Sequence, residues 1–131
     1  MKRKRKKKNV FVTAINCIDG RVQKCVIEFS VKRFKANYVD LITEPGPDKV
    51  LSEGKALDSI KSVKRRVLVS VEKHKSKIVV IAGHHDCAAN PVGKKEHHEQ
   101  IKKAVRNMKK WTPGTDVYGV WIDKKWRAFL L

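Results

Sequence analysis

Acidic residues are scarce in this chain: 13 Asp and Glu stand against 31 Lys and Arg, for a net charge of +18 over 131 residues. Such a field draws anions, whether nucleic acid, an acidic lipid surface or a small anionic substrate. Long apolar runs are missing too. None approaches the ~20 residues that a membrane span needs. Cysteine is sparse and odd in number, at 3, which argues against a disulfide framework. No Cys-x-x-Cys is present, which weighs against a thiol redox protein. No internal repeat and no second domain are visible.

The basic residues are unevenly spread. The run KRKRKKK at residues 2–8 holds 7 of the 31, and 24 then remain against the 13 acidic ones. The expectation is a disordered basic tail over 1–8, able to dock on nucleic acid or an acidic partner, followed by one domain over 9–131. A secretory leader is not expected. The apolar stretch VFVTAINCI after the basic start is short and contains Asn16, and Asp19 and Arg21 stand where small residues should precede cleavage. A cytoplasmic location follows as an expectation.

Hydrophobic residues make up 41% of the chain, enough for a packed core. NVFVTAINC (9–17) reads as a buried strand. VQKCVIEFSVKRF (22–34) has Val22, Cys25, Val26 and Phe29 at helical spacing, with Cys25 as a small core residue. NYVDLIT (37–43) is a second strand and EPGPDK (44–49) a loop. Residues 51–75 carry Leu57, Ile60, Val63, Val67 and Val71 three or four apart, as one amphipathic helix. SKIVVIAG (76–83) is the clearest buried strand. A helix runs from about Lys94 to Trp111, DVYGVWI (116–122) is a strand, and a turn leads to a short last strand in 126–131. The alternation predicts an α/β fold: a mainly parallel sheet of four to five strands with helices on both faces and right-handed crossovers. Sites in such sheets form beyond the carboxyl ends of the strands.

Two motifs occupy that place. Cys17, Asp19 and Arg21 alternate in INCIDGR where the first strand ends. His84 and Cys87 follow the strand KIVVIAG in HHDCA. Neighbouring strands lie ~4.8 Å apart, so their ends would bring two cysteines and one histidine to one point. Zinc takes thiolate at ~2.3 Å and imidazole at ~2.0–2.1 Å, usually tetrahedrally. Three protein ligands leave a fourth position for water or Asp19. In an extended segment, Asp19 and Arg21 would project on one side. His85 and Asp86 are expected to be a solvated loop pair, and His97 and His98 exposed residues at a helix start. Trp111, Trp121 and Trp126 are expected to pack in the core or at a subunit contact.

The pair CIDGR and HHDCA resembles the β-class carbonic anhydrases, whose signature is Cys-x-Asp-Ser-Arg followed later by His-x-x-Cys-Gly. The resemblance spans residues 9 to about 122. Here Gly20 stands for the serine and Ala88 for the last glycine. It implies Cys17, His84 and Cys87 as zinc ligands and Asp19 with Arg21 as the catalytic dyad. It further implies a zinc lyase interconverting carbon dioxide and bicarbonate, assembled as a homodimer or a higher homo-oligomer. The same site would suit carbonyl sulfide or carbon disulfide. The alternative class is a catalytically silent zinc-containing protein whose basic tail binds nucleic acid or an acidic partner. Zinc lowers the pKa of its water from 15.7 towards ~7 in well-known lyases. Two thiolates neutralise the ion's formal charge, so neighbouring groups must help here.

Overall fold

The computed structural model describes residues 9–131. The basic run at 2–8, with its expected disorder and docking role, lies outside the described residues. Nine elements follow one another: β1 (Phe11–Asn16), α1 (Gly20–Phe34), β2 (Tyr38–Thr43), α2 (Pro47–Glu53), α3 (Leu57–Lys73), β3 (Ile78–His84), α4 (Lys94–Trp111), β4 (Asp116–Ile122) and β5 (Ala128–Leu130). They build one five-stranded sheet in the order β2-β1-β3-β4-β5. The first four strands are parallel, and β5 pairs antiparallel with β4.

Period-2 alternation divides the central strands between two cores. Ile15, Val79 and Ile81 join Val63 and Val67 of α3 and Ala104 and Met108 of α4 on one face. Val12, Ala14, Val80 and Ala82 join Val22 and Val26 of α1 on the other. Cys25 packs at the margin of this second core. Helices therefore cover both faces, as the pattern of strands and helices predicts. Among the described residues, no helix is long and apolar enough to cross a membrane.

Two local readings need correction. The single helix expected over 51–75 is two helices, and the first begins inside the expected loop. Pro47 sits at the start of α2, where its fixed φ suits a helix and its missing N–H costs nothing. Gly54 then ends α2 in the left-handed conformation at φ +70°, which breaks the apolar register before α3. The second correction concerns α1. It starts at Gly20, because the Asp19 carboxylate accepts the Arg21 backbone N–H at 2.9 Å and caps the helix. Arg21 is thus in a first helical turn, not in an extended segment.

The sheet meets α4 closely at Gly119. A Cβ there would lie 2.6 Å from Cγ2 of Ile101. Gly119→Val should therefore destabilise the protein by about 1–3 kcal/mol through overpacking. The midpoint of urea unfolding checks this, and an unchanged midpoint would contradict the packing.

Topology sets the position of the site. From β1 the chain passes through α1 to β2 on one side, then returns through α2 and α3 to β3 on the other side of β1. Helices thus leave β1 and β3 on opposite faces. The strand order reverses between them, opening a crevice at their carboxyl ends.

Candidate metal centre

Cys17 follows the last residue of β1, His84 ends β3, and Cys87 lies in the turn after it. The two strands are hydrogen-bonded neighbours in register, with Ile15 beside Ile81. All three side chains are buried, and their ligand atoms lie within 4.8 Å of one another. The sulfurs of Cys17 and Cys87 are 4.0 Å apart. Two thiolates on a tetrahedral zinc stand about 3.8 Å apart, given ~2.3 Å bonds, so little movement separates this arrangement from a filled shell.

The histidine is oriented for the same purpose. Its Nδ1 donates to the His85 carbonyl at 2.7 Å. Its Nε2 is buried without a protein partner. A buried nitrogen left unpaired is costly, whereas a metal ion would use its lone pair. A ring nitrogen tied to a carbonyl while the other faces the ion is the usual second-shell pattern of ligating histidines. The contact between the sulfurs lowers the Cys17 thiol below its ordinary value, while that same contact and burial push Cys87 up.

Asp19 and Arg21 form a tight pair at the rim. Arg21 donates through Nη2 to Oδ2 of Asp19 at 2.7 Å and through Nε to Oδ1 at 3.1 Å. The guanidinium holds the Asp19 carboxyl down at about 2. Asp19 is not a member of the close Cys17, His84, Cys87 group. Arg21 also reaches Asp86, with Nη1 to Oδ2 at 3.2 Å and Nη2 to the carbonyl at 3.1 Å, and lies over Trp126 at 4.4 Å. One guanidinium therefore ties the loop after β1 to the loop after β3. Asp86 is exposed as expected, yet it is paired with Arg21 and not simply solvated, and its φ is +59° in the tight turn. His85 is exposed.

The expectation of exposed histidines at the start of α4 fails for His97. It is 1% exposed, its Nδ1 donating to Oδ2 of Asp48 at 2.6 Å. The cause is α2, which covers this end of α4 and delivers Asp48. His98 is partly buried against Trp121, with ring centroids 5.2 Å apart. Neither His97 nor His98 belongs to the close ligand group. Trp121 is buried, while Trp111 and Trp126 pack half-buried against the two cores. Gln23 escaped sequence reasoning. Its Nε2 donates to the carbonyls of Cys17 and Asp19, both at 2.8 Å, and so pins the loop carrying the first cysteine. A polar residue one turn into a helix that follows a ligand loop was the available signal.

The family described as putative carbonic anhydrase matches residues 7–130. The chain belongs to this carbonic anhydrase family. Solved β-carbonic anhydrases share the fold. The enzyme CafA of the fungal pathogen Aspergillus fumigatus is similar with a TM-score of 0.51 at 15% identity, over 95% of this chain and 76% of that one. One of two tetrameric β-carbonic anhydrases of the filamentous ascomycete Sordaria macrospora is similar with a TM-score of 0.50 at 16% identity, over 95% of this chain and 82% of that one. No curated protein sequence matches. For this carbonic anhydrase family member, the metal-ready cluster lies at the switch point of the sheet.

Proposed function

We propose that the chain is a zinc lyase that hydrates carbon dioxide reversibly to bicarbonate. The observation that carries this reading is the convergence of two buried sulfurs and an unpartnered histidine nitrogen beside an ionised carboxylate. Cys17, His84 and Cys87 would hold the ion. Zinc, when bound there, supplies a water of lowered pKa as nucleophile near neutral pH.

The chain's own residues do the rest. Asp19 stays ionised throughout the neutral range and accepts a hydrogen bond from the attacking water, directing its lone pair at carbon. Arg21 keeps that carboxylate charged and, by gripping both oxygens, holds it away from the sulfurs. The surplus of basic residues favours the approach of bicarbonate in the reverse direction.

Stopped-flow hydration of carbon dioxide by the purified zinc-replete protein tests the proposal. A rate well above buffer that disappears after zinc removal and returns with zinc is the expected result. No acceleration between pH 7 and 9 in protein of verified zinc content would refute it.

A further inference from the structure

Asp48 is the only carboxylate among the described residues that is buried, at 1% exposure, and it lies outside the ligand group. Its partners are specific. Oδ2 accepts from Nδ1 of His97 at 2.6 Å, and Oδ1 accepts from Nδ2 of Asn90 at 3.0 Å and from the Lys49 backbone at 3.0 Å. The second amide hydrogen of Asn90 goes to Oε1 of Gln100 at 2.7 Å. Asn90 and His97 are each 1% exposed. Buried polar networks of this kind are costly to break.

The network joins the parts of the chain that surround the two sulfurs. Asn90 is three residues beyond Cys87, and its N–H closes the turn onto the Cys87 carbonyl at 3.2 Å. Gly46 precedes α2, which carries Asp48, and it packs so tightly on Asn90 that a Cβ would lie 3.2 Å from the Asn90 Cβ. Asp48 also presses on β3, where a Cβ at Gly83 would lie 2.6 Å from Oδ2, one residue before His84.

The geometry points to Asp48, Asn90 and His97 as positioning residues that fix the turn carrying Cys87 and the strand end carrying His84, and thereby tune a metal held there. This inference rests on the metal-site reading. Its physical basis is geometry: Cys87 stands on the turn that Asn90 closes and His84 on the strand end that Asp48 presses against, so a clamp on those two segments fixes how both ligands meet the ion. None of the three residues need touch the ion or substrate to do this.

Cobalt(II) substitution reads the sulfur environment directly. The full chain and its Asp48→Asn, His97→Leu and His97→Asn forms are loaded with Co(II), and the thiolate-to-cobalt absorption band is recorded beside the rate of metal loss to a chelator. Asn places an amide donor where Nδ1 of His97 sits, whereas Leu does not. Asp48→Asn and His97→Leu should move the band and release metal about 10-fold or more faster, in the range usual for outer-shell partners. His97→Asn should recover most of both properties. Unmoved bands and unchanged release in Asp48→Asn and His97→Leu, with only thermal stability lowered, would overturn this inference and leave the metal site standing. Failure of the parent chain to bind cobalt or zinc would overturn both.

Discussion

Cys17→Ser should abolish zinc retention and, with it, carbon dioxide hydration; Cys87→Ser and His84→Ala should do the same. The expected loss is all-or-none because the three side chains act as one ligand set on two loops. With one ligand gone, only two protein donors would remain for the ion, and the buried partner atoms would be left unsatisfied. Zinc content after a chelator wash, measured on folded protein, checks this. Thermal denaturation gives an independent readout. Saturating zinc should raise the parent's midpoint, since a ligand at a thousandfold excess over its Kd contributes about 4 kcal/mol. The same zinc should leave the midpoint of Cys17→Ser unmoved. Retention of stoichiometric zinc by any of the three variants would remove that residue from the site.

Asp19→Asn separates chemistry from architecture. Asn caps a helix about as well as Asp, so α1 should keep its start, and the fold should lose only the small contribution of the largely exposed ion pair with Arg21. The amide nevertheless lacks the negative charge that the proposed function uses to orient the attacking water. Zinc content should stay at the parent level while turnover falls by about 100-fold or more, the usual scale for a positioned acid–base group. Parent-like turnover in Asp19→Asn would remove its catalytic role. The pH dependence has a definite sign. Arg21 lowers the Asp19 carboxyl from 3.8 to about 2, so the pair's contribution to stability is complete above about pH 4. It is lost as pH falls through about 2. Asp19 therefore contributes no titration to the activity profile between pH 5 and 9. An acid limb in that range would come from protonation of the water a bound zinc supplies, or from metal loss, because thiolate and imidazole ligands bind protons in competition with the ion.

The arrangement of ligands was legible because it needs only strand order and strand ends. INC and IAGHHDC are each an apolar β-branched run that stops at a sulfur or nitrogen donor, and parallel neighbours place such ends together. The exposure of His97 was misread for the opposite reason. Its neighbours in sequence are Lys94, Lys95, Glu96 and Glu99, all exposed, which makes this part of α4 look solvated. Burial of His97 depends on Asp48, 49 residues away, and Asp48 sits between a proline and a lysine in a segment that reads as loop. The fault was one of helix boundary: Pro47 opens α2, and once α2 exists its first turn falls on α4. Likewise Arg21 looked like a partner for Asp19 alone. Its contacts with Asp86 and Trp126 depend on how the turn at 84–87 and the β4–β5 hairpin fold back, which local spacing does not encode.

X-ray absorption at the zinc K-edge of the purified, unmodified protein tests the central claim most directly. The account predicts four-coordinate zinc with two sulfurs at ~2.3 Å, one imidazole nitrogen at ~2.0–2.1 Å and one further light atom. Protein free of zinc after purification in its presence, or a zinc shell without sulfur, would contradict it.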